Sequence, residues 1–300
     1  MCNMNITFLG TACMTHTKER NQSGIFLKYK GEGVLFDCGE GIQRQMKIAG
    51  IKLTDVTKIL ISHWHGDHVL GLPGLIQSLA ASEYAQTLEV YGPKNIQNQI
   101  RGVLQAFGVQ KPPIPLRIQE VGDGLFFENN DFFLSSASLE HSVPCVGYSF
   151  QEQDRRRIRL DIVKKIGIPE GPLLGELQEG KDIEWKGKKV KCEETTTVVK
   201  GRKLTVIVDT VATRNCIVLA KNADLLICEA TYSSKEKDKA KQYKHLTAKE
   251  SAQIAAKSSV EKLILTHFSQ RYKNTQEIEE DARTVFNNVI CAYDFMRVTL

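Results

Sequence analysis

The densest chemistry in this sequence lies between Ser62 and His68, in the run Ser-His-Trp-His-Gly-Asp-His. Three imidazoles and one carboxylate within six residues form a donor set suited to zinc, manganese or iron. No cysteine accompanies them, which argues against a closed structural thiolate site. In extended backbone, side chains two apart share a face, so His63 and His65 can grip one ion. Asp67 and His68 follow Gly66, which permits a bend, and can turn toward a second ion. Four residues cannot complete two sites that also leave a position open for water, so further ligands must come from elsewhere. His141 in LEHSVP, Asp209 in IVDT and His267 in LTHFSQ are the candidates, each at a predicted strand end or turn. A lone histidine is ordinarily a satisfied core or surface residue. Six of the seven histidines (63, 65, 68, 141, 245 and 267) occupy such positions, however, and that bland reading does not cover the pattern. Asp209 keeps a second reading, as N-cap of the helix expected after it.

The elements that must position these side chains follow from the periodicity. Short β-branched runs alternate with amphipathic stretches. KILIS (58–62) and KLILT (262–266) read as buried strands that deliver His63 and His267 at their carboxyl ends, where ligands collect in layered α/β folds. Further strands are predicted at 5–10, 24–29, 34–37, 88–91, 115–121, 204–208 and 224–228. Two or three antiparallel strands fall between 125 and 150, and a last strand ends the chain. Helices are predicted at 41–49, 72–81, 95–107, 213–221, 247–257 and 276–286, with Thr247 and Glu250 forming a capping box. Between Glu152 and Lys203 the periodicity weakens while Gly, Pro and charge accumulate. That window holds 14 Lys+Arg against 10 Asp+Glu, a balance of +4 out of +5 for the chain. A 52-residue stretch of this kind reads as its own unit or as a functional arm.

Composition sets the outer bounds. The 300 residues are 42% hydrophobic and 25% charged, which suits a sizeable α/β core and excludes wholesale disorder. No apolar run approaches the roughly 20 residues of a membrane helix, and MCNMNITFLG reads as a strand start rather than a signal peptide. The eight cysteines are scattered without a C-x-x-C pair, so no disulfide framework is expected and a reducing cytoplasm is.

H-x-H-x-D-H after a strand, followed by a His, an Asp and a His, resembles the metallo-β-lactamase superfamily. More narrowly, the chain resembles the ribonuclease Z family, whose members mature the 3′ end of tRNA. The stretches that carry this are FLGTACMTHTKERNQSG (8–24), LFDCGEGIQRQM (35–46), SHWHGDHVLGLPGL (62–75), LEHSVPCVGYSF (139–150), IGIPEGPLLGEL (166–177), CEATY (228–232), HLTAKES (245–251) and THFSQRY (266–272). The resemblance implies a single domain over 1–300, a four-layered αββα sandwich, with 152–203 as an inserted basic arm that holds tRNA. It implies a homodimer in which one subunit's arm serves the other's active site. It also implies two zinc ions per subunit, or manganese or another divalent metal. His63, His65 and His141 would hold one; Asp67, His68 and His267 the other; Asp209 would bridge. Two positions depart from the family. Val208 precedes Asp209 in place of the usual Gly, and Cys228 replaces the His that usually opens the H-E-A-T stretch.

Two divalent ions about 3.5–4 Å apart can share a hydroxide, lower its pKa to near 7 and neutralise charge on a phosphodiester. The expected reaction is attack by that hydroxide on precursor tRNA, leaving a 3′-hydroxyl on the tRNA and a 5′-phosphate on the trailer. His245, without a metal role, is the candidate proton donor, Glu229 would orient it, and Asp67 would double as proton acceptor. Arg155, Arg156, Arg157, Arg159, Lys164 and Lys165 form a basic run suited to phosphates of a folded RNA, and His16, Lys18 and Arg20 are expected to face the substrate. The alternative is a dinuclear hydrolase of small phosphodiesters or other esters, against which the basic arm argues. No membrane and no nucleotide cofactor is expected.

Overall fold

The computed structural model describes residues 3–300; Met1 and Cys2, which open the expected strand start, lie outside the described residues. The chain begins with β1 (Asn5–Gly10), β2 (Gly24–Tyr29), β3 (Glu32–Phe36), β4 (Lys58–Leu60), β5 (Leu88–Gly92) and β6 (Leu116–Glu120). It continues through β7 (Gly124–Glu128), β8 (Phe132–Leu139) and β9 (Cys145–Glu152). Four short strands follow: β10 (Arg155–Ile158), β11 (Ile183–Trp185), β12 (Lys188–Val190) and β13 (Thr196–Val199). The chain closes with β14 (Lys203–Ile207), β15 (Leu225–Glu229), β16 (Lys262–Thr266), β17 (Val289–Cys291) and β18 (Arg297–Thr299). Two seven-stranded sheets result, in the orders β18-β1-β2-β3-β4-β5-β6 and β17-β16-β15-β14-β9-β8-β7. In each, one run is parallel: β3 to β6 in the first sheet and β14 to β17 in the second. Strands covered on both faces read as continuous apolar runs, which is why KILIS and KLILT stood out.

The sheets face each other through aromatic side chains. Tyr29 and Phe150 meet edge-on at 5.4 Å, Phe36 and Tyr148 at 6.4 Å, and the Tyr148 hydroxyl donates to the Ile61 carbonyl at 2.7 Å. On the outer face of the first sheet, Leu35, Ile59 and Val90 pack with Ile42, Leu75 and Ile100 of helices Ile42–Ile48, Leu72–Ala81 and Ile96–Ala106. Behind the second, Leu226, Cys228 and Leu263 pack with Leu219, Ala252 and Ile278 of helices Arg214–Ala220, Ala248–Lys257 and Gln276–Arg283. The four layers are those of an αββα sandwich. Cys228 belongs to this outer layer, so its departure from the family lies on the side of β15 away from the cleft described below.

Several boundaries differ from the periodicity. The strand expected over 58–62 stops at Leu60: Ile61 N still donates to the Tyr91 carbonyl of β5 at 2.8 Å, but Ser62 N bonds to Asp37 Oδ1 instead of a neighbouring strand. The four-residue helix Gly66–Val69 and β17 were not foreseen. Thr213, not Asp209, caps helix Arg214–Ala220 by accepting from Cys216 N. The capping box of Thr247 and Glu250 is present.

The chain divides into two units. The larger comprises residues up to Phe126, Leu134–Phe150 and Lys203–Leu300; the smaller comprises Phe127–Phe133 and Gln151–Arg202. The smaller has its own apolar cluster of Val163, Ile168, Leu177, Ile183, Val190 and Cys192. Its pairs β10–β13 and β11–β12 are antiparallel, and its helices include Leu160–Ile166 and Pro172–Gln178. The seven described cysteines are free, and no helix among the described residues is long and apolar enough to cross a membrane.

Candidate metal centre

The centre is assembled from segments that leave the carboxyl ends of strands in the larger unit. His63 follows β4 and bridges to Cys145 at the start of β9. The helix Gly66–Val69 presents Asp67 and His68, both buried. His141 follows β8, Asp209 follows β14, and His267 comes directly after β16. Asp37, Asp209 and His267 take φ values of 57, 35 and 62°, in the left-handed region that side-chain-bearing residues seldom occupy and that concentrates at functional sites.

Two groups of donor atoms converge. In the first, His65 Nδ1 lies 3.0 Å from His63 Nε2 and 3.3 Å from His141 Nε2, and Asp209 Oδ2 lies 3.6 and 3.8 Å from His63 and His141 Nε2. In the second, His68 Nε2 lies 3.2 Å from His267 Nε2 and 3.3 Å from Asp67 Oδ2, while Asp209 Oδ1 lies 3.1 Å from His267 Nε2. Asp209 thus gives one oxygen to each group. Metal–nitrogen bonds of about 2.0–2.1 Å in a tetrahedral shell put neighbouring ligand atoms about 3.3 Å apart, which matches both sets. Asp67 Oδ1 and Asp209 Oδ1 are buried without a hydrogen-bond partner, a costly state that a cation relieves. The residues fit divalent metal ions.

The outward ring nitrogens are held as well. His68 Nδ1 meets Asp37 Oδ2 at 2.7 Å, His63 Nδ1 meets Ser62 Oγ at 3.0 Å, His141 Nδ1 meets the Lys244 carbonyl at 3.0 Å, and His267 Nδ1 meets Thr231 Oγ1 at 3.1 Å. The carboxylate and the carbonyl can only accept, so His68 and His141 carry their protons outward and present a lone pair inward. Asp37 also accepts from Ser62 N at 2.7 Å and Ser62 Oγ at 2.9 Å. Burial, together with neighbouring histidines, pushes His63 well below its ordinary value, whereas for His68 and His267 the Asp209 charge overcomes burial and raises them.

Beside the metal ligands, His245 Nδ1 lies 3.1 Å from Glu229 Oε2 and 3.9 Å from Asp209 Oδ2. Burial pushes His245 down, but Glu229 and Asp209 outweigh it and raise it to about 12. Glu229 is fully buried and also accepts from Thr210 N at 2.7 Å and Thr231 Oγ1 at 2.5 Å, so it braces the loop that carries Asp209. His245 and Asp209 border a cleft of about 610 Å³ also lined by Cys13, Met14, Tyr232, Lys244 and Arg271.

Three residues at the centre went unassigned in the sequence. Asp37 lies in the quoted DCGEG stretch, a visible signal with no role attached to it. Met14 N donates to Asp67 Oδ2 at 2.8 Å, and backbone donors leave no mark in residue types. Cys13 lines the cleft, although the scattered cysteines were read as making neither disulfides nor a closed thiolate site. One expectation is corrected: Arg20 is buried, donates to the Tyr272 carbonyl and lies 5.8 Å over the Phe268 ring, so it braces the loop instead of facing substrate. His16 and Lys18 are exposed. In the smaller unit, Arg155, Arg157, Arg159, Lys164 and Lys165 are exposed, but Arg156 turns inward to Thr196 Oγ1 at 3.2 Å. Strand alternation in β10 divides the run, so the six cations do not share one face.

A family model described as Anti-Pycsar protein Apyc1 matches residues 4–112. Ribonuclease Z of Archaeoglobus fulgidus is 40% identical over 299 residues, covering 97% of this chain and 96% of that protein. The crystal structure of human tRNase Z, short form (ELAC1), is similar with a TM-score of 0.71 and 27% identity over 98% of both chains. The metallo-β-lactamase fold protein YhfI of Bacillus subtilis, at 17% identity and a TM-score of 0.73 over both full chains, shares the fold. Sheets, helices and a histidine–aspartate centre at the strand ends define a metal-binding protein of the metallo-β-lactamase fold. Within that class, the chain belongs to the ribonuclease Z family of metal-dependent endoribonucleases.

Proposed function

We propose that this protein is a zinc-dependent endoribonuclease of the cytoplasm, active as a homodimer, that cuts the 3′ trailer from precursor tRNA. The observation that carries the reading is the shared Asp209 carboxylate, one oxygen toward each donor group, beside a cleft of about 610 Å³. The names of its ribonuclease Z relatives support the substrate. The three-histidine group would hold one zinc ion and the Asp67–His68–His267 group the other. When bound, the ions supply Lewis acidity that makes water a nucleophile near neutral pH and offsets charge on the phosphodiester.

The chain's own residues do the rest. Water attacks phosphorus in line, forming a new P–O bond while the bond to the tRNA 3′ oxygen breaks. Asp67 takes a proton from the attacking water. His245, held in its charged form against Glu229, gives a proton to the departing 3′ oxygen. Lys244 and Arg271 at the cleft meet flanking phosphates, while the exposed Arg155, Arg157, Arg159, Lys164 and Lys165 contribute phosphate contacts that set register without reading bases.

The test offers the zinc-loaded protein a 3′-extended precursor tRNA and bis-p-nitrophenyl phosphate in parallel. The reading requires one cut after the discriminator base, with a 3′-hydroxyl on the tRNA and a 5′-phosphate on the trailer. Hydrolysis of the small ester alone would replace it with a small-phosphodiester hydrolase.

A further inference from the structure

Among the described cysteines, Cys13 alone lines the cleft. Its Sγ, a carboxylate oxygen of Asp67 and a ring nitrogen of His267 lie within 4.8 Å of one another. The sulfur's position is set by backbone. Phe268 N donates to the Thr11 carbonyl at 2.8 Å, and Cys13 N donates to the Phe268 carbonyl at 3.0 Å, which ties Cys13 to the segment right after His267. The next residue grips the same carboxylate, Met14 N donating to Asp67 Oδ2 at 2.8 Å. A second, independent observation points to a cation here: Asp67 is 2% exposed, yet its Oδ1 has no hydrogen-bond partner. Thiol, imidazole and carboxylate within reach of one another form a zinc ligand set by type.

We propose that Cys13 is a sulfur ligand to the ion held by Asp67, His68 and His267, making that position a mixed thiolate, imidazole and carboxylate site. The inference rests on the two-metal reading above and adds a ligand to it. Binding breaks the S–H bond, forms a metal–sulfur bond and releases the proton to solvent. A thiolate at this position favours zinc over manganese, which prefers oxygen donors. Zinc should therefore outcompete manganese at this position far more strongly in the native protein than in a variant lacking the sulfur.

The test is X-ray absorption at the zinc edge on the full zinc-loaded chain, beside Cys13→Ser and Cys13→Ala. The expected spectrum contains a sulfur shell at about 2.3 Å that disappears in both variants, while the zinc affinity of one site falls about tenfold or more. Should a variant misfold, the native spectrum still decides whether sulfur is bound. Two zinc ions surrounded only by nitrogen and oxygen would overturn the Cys13 assignment and leave the two-metal reading standing. A sulfur shell that persists in the folded variants would overturn it too. Absence of any zinc binding would sink both.

Discussion

Asp37 stands outside the two converging donor groups, yet three donors around the centre end on it: Ser62 N, Ser62 Oγ and His68 Nδ1. Asp37→Ala would strand buried donors and free the His68 ring to rotate. We expect about 1–3 kcal/mol of lost stability in chemical denaturation and about 10–100-fold weaker zinc binding in chelator competition. Unchanged zinc affinity would mean that packing alone orients His68. His245 is the contrasting case, because its Nδ1 pairs with Glu229 and it is not among the proposed zinc ligands. His245→Ala should keep both zinc ions by elemental analysis while kcat falls about 10²–10⁴-fold; loss of zinc would make it a ligand instead. The seven histidine and aspartate ligands proposed were legible because imidazole and carboxylate at strand ends are conspicuous. Asp37 and Met14 were not, since their contacts span 25 to 53 residues and one of them uses only backbone.

At the scale of elements, the histidine-bearing loops depend on buried parallel strands and the helices behind them. Thr247 accepts from Glu250 N at 3.3 Å while Glu250 Oε2 accepts from Thr247 N at 2.9 Å, fixing the start of helix Ala248–Lys257. Thr247→Ala should cost about 0.5–2 kcal/mol, read as a lower Tm with zinc content unchanged. These strands and helices were readable because burial on one or both faces imposes a period. The early stop of β4 was hidden: a side-chain carboxylate replaces a strand partner there, and no residue period reports that. The elements between Glu152 and Lys203 escaped detail for a different reason. At three to seven residues each, they complete too few periods to register, although they bury a cluster of their own.

For the whole molecule, alternation led to a layered α/β arrangement and the family resemblance to its four layers, while the charge excess of the 152–203 stretch marked where the proposed RNA contacts would lie. Alternation along β10 then decides which arginines can serve. Replacing Arg155, Arg157 and Arg159 with serine should raise KM for precursor tRNA and flatten the slope of log affinity against log salt by about 0.7–0.9 per lost phosphate contact. Hydrolysis of bis-p-nitrophenyl phosphate should not change, because the substitutions leave the metal centre intact; a parallel loss of both activities would mean that the smaller unit had been damaged.

The central claim is that the convergent histidine–aspartate groups form a metal centre that cuts precursor tRNA. Its most direct test follows cleavage of a 3′-extended precursor tRNA by the purified protein, with and without a chelator, and by Asp67→Ala. The account predicts a single cut after the discriminator base that chelation abolishes, zinc restores and Asp67→Ala lacks. Cleavage that survives both chelation and the loss of Asp67 would contradict it.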